Sequence, residues 1–287
     1  MPQLLDPGPS EAGWHRLQTA LQCPRKYALN EKTERTWSPP LIKGSLVHVG
    51  LAHYYKRTWA RMQGRKPGKG DLKEPLDQWY EPLEAVSRLA MQQAGESGNY
   101  LWMEFAELAR RVVHEYIQHW QLERWEPLYI EEQFRSHVTD EKGNRFLYTQ
   151  RADLVARDPR GKIWIVDHKT TFRIAPKTIR RYTLSGQFLG YRLLGQRAFG
   201  DKFGGVVLNM IQLPQDTKGR AEFKRPALEP APWAVRTFKQ TLIRAEGIIN
   251  QHKHLEEPLD WPAVHHETAC WTAYGPCPFH ETCQFGF

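Results

Sequence analysis

The chain has 287 residues, of which 40 are Lys or Arg and 32 are Asp or Glu, giving a formal charge of +8 and a sequence pI near 9.3. With 40% hydrophobic and 12% aromatic residues it has the composition of a chain that buries a core, which excludes the disordered, collagen-like and low-complexity classes and makes a polyanion the natural complement of its charge. No run of about 18 apolar residues is present to span a bilayer, and Met1–Trp14 has neither the basic nor the apolar region of a secretion signal, so the expected compartment is the cytoplasm, where thiols stay reduced.

In chain order, Leu17, Leu21 and Cys23 mark a first helical pattern ending near Asn30. The Pro39-Pro40 pair prepares a second helix over Leu41–Met62. There Ile42, Leu46 and Val49 recur at steps of four and three, and Lys56, Arg57 and Arg61 gather toward the end, where the helix dipole favours cations. Residues 63–75, rich in Gly, Pro and Lys, read as a basic loop before a helix ending near Gly95. Leu101, Phe105, Leu108, Val112 and Tyr116 form the clearest amphipathic pattern of the chain.

Past Pro127 the period changes to two, with Leu128, Ile130, Phe134 and Val138 at even spacing and a turn at Asp140–Asn144. Two further strand runs, Tyr148–Arg157 and Lys162–Asp167, flank Asp158–Gly161, where Pro159 presets φ for a turn, so they should pair as an antiparallel hairpin. A helix over Ser185–Phe199, a strand over Gly204–Leu213 and a helix from Ala231 to about Gln251 follow. This order predicts one α/β domain over residues 1–287, with a mainly helical part over 1–126, an α/β core over 127–255 and a Cys-bearing tail over 256–287.

The hairpin carries the chemistry. With its turn centred near residue 160, Asp153 lies opposite Asp167, and directly opposed residues project from one face, which Lys169 shares two positions on. Two carboxylates about 5 Å apart repel unless a cation sits between them. The pair therefore suggests Mg²⁺ or Mn²⁺, with Lys169 positioning or activating water or countering charge on a pentavalent phosphate. Both acids are also compatible with strand-end surface charges paired to Lys169 or Arg151. Against that stands the apolar run Ile163–Val166, which delivers Asp167 from a buried strand where an uncompensated charge is costly. Gln187 and Tyr191 share one face of the following helix, and His48 on its own helix is a candidate nitrogen ligand, although a lone helical His is more often structural. Glu131 and Glu132 could contribute an acid to the site but read more simply as strand-surface charges.

Taken together, Gly44–His48 (GSLVH), Asp153 within RADLVAR, Ile165–Lys169 (IVDHK) and Gln187–Tyr191 (QFLGY) resemble, in order and spacing, the RecB-like branch of the PD-(D/E)XK nuclease superfamily. The resemblance implies a restriction-endonuclease-like α/β core, a mixed sheet flanked by helices, and a metal-dependent DNA nuclease, most simply an exonuclease on single strands or ends. The alternative is a DNA-binding repair or recombination subunit with little activity. It implies His48, Asp153, Asp167 and the backbone carbonyl of His168 as metal ligands, Lys169 as the catalytic lysine, Gln187 and Tyr191 as supporting or DNA-contacting residues, and a helicase or a recombination or adaptation protein as partner. Arg65, Lys66 and Lys69 would add salt-dependent affinity for the DNA backbone.

Of the four cysteines, Cys23 lies near the start and Cys270, Cys277 and Cys283 close the chain with C-x6-C-x5-C spacing. Taken as residues, they leave reduced thiols, zinc and an iron–sulfur cluster open, without the close C-x2-C pairs of a zinc ribbon. Relatives in the same branch, among them CRISPR-adaptation nucleases, pair an N-terminal Cys-Pro-Arg with a C-terminal trio of cysteines. By that likeness Cys23, Cys270, Cys277 and Cys283 would bind a 4Fe-4S cluster and tie the tail to the N-terminal segment. The x6 gap is wider than is usual in those relatives, and the departure falls on Cys270.

Overall fold

Proline sets where the helices begin. In the computed structural model, which describes residues 10–33, 38–64, 101–215, 219–272 and 275–286, four helices start on a proline, whose missing N–H is an orphan of the first turn in any case. The helical region is disfavoured for the residue before a proline, and Cys23 is extended (φ −163°, ψ 115°), so the single helix expected through Asn30 becomes two, α1 (Trp14–Gln22) and α2 (Pro24–Lys32). Next come α3 (Pro39–Met62), α4 (Leu101–His119), β1 (Glu126–Thr139), β2 (Arg145–Arg157) and β3 (Ile163–Thr171). They are followed by α5 (Pro176–Thr183), α6 (Gly186–Phe199), β4 (Phe203–Gln212), β5 (Glu222–Lys224), β6 (Ala227–Leu228) and α7 (Pro232–His252), then by the short elements α8 (Glu267–Cys270), β7 (Trp271–Thr272), β8 (Gly275–Pro276) and α9 (His280–Phe285). The basic loop and the helix expected up to Gly95 lie outside the described residues. Among the described residues, no helix is long and apolar enough to cross a membrane.

The described chain forms two units. The first holds residues 38–64, 101–134, 151–215 and 219–230, and the second holds 10–33, 135–150, 231–272 and 275–286. One sheet runs in the order β1-β2-β3-β4-β5, with β6 also on β4. It is mixed: β2 and β3 pair antiparallel, β3 and β4 parallel across the α5–α6 crossover, and β4 meets β5 and β6 antiparallel. The register of the hairpin is the expected one, with Leu154 opposite Val166 and Val155 opposite Ile165. Its turn is fixed by Asp158, whose Oδ1 accepts the N–H groups of Arg160 and Lys162, and by Gly161, whose φ of 81° suits a residue without Cβ.

Each face of this sheet buries a helix layer, as parallel pairing requires. Ile42, Leu46, Val112 and Tyr116 of α3 and α4 pack on Leu154, Val166, Val207 and Ile211, while Phe188 and Tyr191 of α6 pack on Val155, Ile165, Val206 and Leu208. This is the mixed sheet flanked by helices that the motif order implies. In the second unit Thr149 N–H donates to the Ala12 carbonyl at 3.1 Å, Trp14 meets Phe238 at a tilt and Tyr148 meets it edge-on, and Tyr27 packs on Trp261. The backbone N–H of Arg25 reaches the carbonyl of Pro262 at 3.1 Å, which joins the N-terminal helices to the tail.

Candidate active site

The site forms where β2 and β3 part. Their ladder ends at Leu154 and Val166, and one step further Asp153 Oδ2 accepts the backbone N–H of His168 at 2.6 Å, a side chain standing in for the next ladder bond. Alternation is lost at the same point: Ala152 packs with the α6-side cluster and Leu154 with the α3-side cluster. Asp153 is thereby within reach of groups from both layers. On the α3 side, His48 Nδ1 lies 3.5 Å from Asp153 Oδ2. On the α6 side, Asp167 is 1% exposed and forms an ion pair with Lys169 Nζ at 2.6 Å. Its other oxygen receives Gln187 Nε2 at 3.1 Å and lies 2.9 Å from the Tyr191 hydroxyl. That hydroxyl also lies 2.7 Å from the carbonyl of Arg151, and with one proton it serves one acceptor at a time.

Helix α3 can approach because of Gly44. A Cβ there would stand 2.9 Å from Thr170 Oγ1 of β3, so glycine lets the helix lie close to the strand, one turn before His48.

A third acid joins the site. Ligand atoms of His48, Glu131 and Asp153 all lie within 4.8 Å of one another. Glu131, read from the sequence as a surface charge, is the one described non-glycine residue with positive φ (54°), a break in the β1 pleat that strict alternation cannot anticipate. Glu132 beside it is exposed, as expected.

Charge is under-compensated at this end of the sheet. Burial and the neighbouring Asp167 push the Asp153 carboxyl up to about 6, against the pull of His48, Lys169 and the His168 N–H. Burial alone would lower Lys169, yet Asp167 and Asp153 hold it above the usual lysine range. An imidazole with two or three carboxylates is a donor set for a hard or borderline divalent cation, and a carboxylate held protonated toward neutrality has room for the missing positive charge. The residues fit such an ion.

Beneath the site runs a buried polar relay that sequence reasoning missed. His168 is paired with Asn209 in the parallel register, and Arg225 stands across from Asn209 between β5 and β6. Arg225 Nε donates to Asn209 Oδ1 at 3.0 Å, which turns the Asn209 amide nitrogen to His168 Nδ1 at 2.6 Å. His168 therefore accepts through Nδ1, and burial together with the charges of His48 and Arg225 holds its ring neutral. The guanidinium also reaches Tyr55 on α3 at 2.9 Å, Tyr116 on α4 and Glu123, and it covers the Trp120 ring at 3.9 Å. The parts of this relay lie up to 170 residues apart, and no local spacing announces them.

In comparison with known proteins, the PD-(D/E)XK nuclease superfamily matches the chain over residues 14–284. No curated protein matches it. Among solved structures it is similar to SSO0001 at 12% identity, covering 68% of this chain and 84% of that one with a TM-score of 0.33. It is also similar to an inferred exonuclease from Eubacterium rectale at 12% identity, covering 67% and 73% with a TM-score of 0.35.

Proposed function

The chain belongs to the PD-(D/E)XK nuclease superfamily, and on that premise we propose that it is a metal-dependent deoxyribonuclease, an exonuclease that hydrolyses phosphodiester bonds on single strands or at DNA ends. The observation that carries this reading is the buried Asp167–Lys169 pair at 2.6 Å beside the His48, Glu131 and Asp153 trio. His48, Asp153, Asp167 and the His168 carbonyl are the proposed ligands of Mg²⁺ or Mn²⁺, with Glu131 added to them. The bound ion supplies Lewis-acid polarisation of a phosphate oxygen and a lowered pKa for the attacking water.

The protein's own groups do the rest. In the metal-free site Lys169 is kept as an ammonium by Asp167 and Asp153 although burial opposes it. Its role is to counter charge growing on the phosphate and to orient water by hydrogen bonding. Gln187 and Tyr191 fix the Asp167 carboxylate, and burial with the charges of Asp167 and Asp153 keeps the Tyr191 hydroxyl protonated as a donor. The neutral His168 ring, held from below by Asn209, fixes the strand between Asp167 and Lys169.

The same reading includes a 4Fe-4S cluster on Cys23, Cys270, Cys277 and Cys283, a helicase or a recombination or adaptation partner, and a cytoplasmic location. All four thiols lie in the second unit. Burial and the proximity of Cys23 and Cys277 raise the Cys283 thiol, against the pull of Arg25, so three sulfurs and one cation share a locality. Cys270 is exposed, and its Sγ lies 3.6 Å from the Val264 carbonyl.

The test is cleavage of end-labelled single-stranded and duplex DNA in Mg²⁺ and Mn²⁺. Asp167→Asn and Lys169→Ala should each lose on the order of a hundredfold in rate or more while DNA binding survives. Wild-type rates in both variants would show that the chemistry lies elsewhere.

A further inference from the structure

Between the strand that carries Lys169 and the helix that carries Gln187 and Tyr191 lie residues 172–184, with Arg173, Lys177, Arg180 and Arg181 and no acid. We infer that this segment is the surface that grips an unpaired DNA strand at the site, with Lys177 and Arg180 on its phosphates and Phe172 stacked on a base. The inference rests on the nuclease reading above and adds to it the form of the substrate and the residues that select it.

Several observations converge. Phe172 is 72% exposed and Leu184 53%, so large apolar groups face solvent at both ends of the segment, whereas Ile174, Ile179 and Tyr182 pack against the α6-side core. The segment is thus anchored by its apolar face, and no residue of α5 is fully buried. Phe172 follows Lys169 by three positions, about 10 Å of extended chain, a separation that one nucleotide can bridge.

The cations are arranged for an external anion. Arg110, Arg157 and Arg225 each hold a carboxylate. Among the described residues no carboxylate lies within ion-pair distance of Arg173, Lys177 or Arg180. Lys177 and Arg180 stand at i and i+3 on α5, where like charges repel. The helix dipole accounts for Arg180 and Arg181 in the last turn, but Lys177 sits in the first turn, where the dipole disfavours a cation. A phosphate backbone relieves both penalties at once. Duplex DNA would meet the same cations, but its bases present no free face to Phe172, so stacking selects the unpaired strand.

The test is fluorescence anisotropy in EDTA, where no strand is cut, with labelled oligothymidylate and a blunt duplex of equal length. Phe172→Ala should weaken oligothymidylate roughly five- to a hundredfold and leave the duplex unchanged, and Phe172→Trp should restore binding. Lys177→Ala with Arg180→Ala should weaken both polymers and reduce the salt slope by about one per cation removed. Binding of oligothymidylate by Phe172→Ala at wild-type affinity, or equal loss on both polymers, overturns the inference even where Mn²⁺-dependent cleavage stands. Wild-type protein that cuts neither polymer in Mn²⁺ yet shows the Phe172 discrimination overturns the nuclease reading and leaves this surface in place. These side chains are exposed, so their removal does not threaten the fold.

Discussion

Glu131 holds a left-handed backbone that costs a non-glycine residue about 1–3 kcal/mol. Its carboxylate lies beside His48 and Asp153, which gives that cost a counterpart in function. Glu131→Gly should therefore raise the unfolding midpoint of the metal-free protein, because glycine adopts φ > 0 freely, while Mn²⁺ affinity falls about tenfold or more in calorimetric titration. Glu132→Gln should change neither, and a Glu131→Gly protein that binds Mn²⁺ as tightly as the wild type would remove Glu131 from the ligand set. Asp153 adds a pH dependence. Its carboxyl is raised from 3.8 to about 6, so in the metal-free protein its contribution to stability is fully present below about pH 3.8 and is lost as pH rises through 6. Metal binding needs the carboxylate, so Mn²⁺ affinity should climb with pH up to about 6 and flatten above it; an affinity unchanged between pH 5 and 7 would contradict this. In Asp153→Asn most of the affinity should be lost and the slope should become shallower, leaving the proton competition at the remaining ligands.

Among elements, the decisive contact is that of α3 with the β3–β4 pair, closed at one end by Gly44 against Thr170 of β3 and at the other by Arg225 bridging Tyr55 to Asn209 of β4. Arg225→Met leaves Glu123 partly buried without its partner, a change that costs about 3–5 kcal/mol when an ion pair is truncated on one side. Adding Glu123→Gln should recover the part of that loss due to the unpaired charge but not the bonds to Asn209, Tyr55 and Tyr116, so the double variant should melt between Arg225→Met and wild type and, where folded, show a lower kcat and weaker Mn²⁺ binding at unchanged KM for DNA. Full kcat in a stable double variant would reduce Arg225 to a packing residue. Much of this layer was legible beforehand. The Asp158–Gly161 turn dictates the hairpin register, and through it the proximity of Asp153 to Asp167, because turn chemistry is local and a strand has a period of two. Helix α5 was not legible, since its eight residues bear no apolar repeat long enough to stand out from a loop. Glu131 and the Arg225 relay were hidden for a different reason: one depends on a backbone irregularity and the other on side chains that meet only after the sheet is assembled.

At the scale of the whole molecule, the candidate catalytic groups all belong to the first unit and the four thiols to the second, so the two chemistries can fail separately. The second unit draws on both ends of the sequence: Arg25 bonds the Trp261 carbonyl through Nε at 2.9 Å and the Pro262 carbonyl through its backbone, and Cys23, immediately before α2, shares a locality with Cys277 and Cys283. A metal group there would act on stability through folding, because its ligands converge only in the folded chain. Cys23→Ser should then abolish the brown colour of anaerobically purified protein and lower the unfolding midpoint, and Cys277→Ser and Cys283→Ser should do the same. Cys270→Ser is the sharper test of the ligand set. Its Sγ is exposed and lies against the Val264 carbonyl, so loss of colour in this variant requires that the thiol turn inward when the cluster assembles, while retained colour would mean that the fourth ligand is another group. Calorimetric Mn²⁺ titration of these variants at a temperature where they remain folded should match the wild type, since none of the four thiols belongs to the His48, Glu131 and Asp153 trio. Colourless anaerobic wild-type protein carrying stoichiometric zinc would replace the cluster with a tetrahedral thiolate site and leave the phosphodiester chemistry of the first unit untouched.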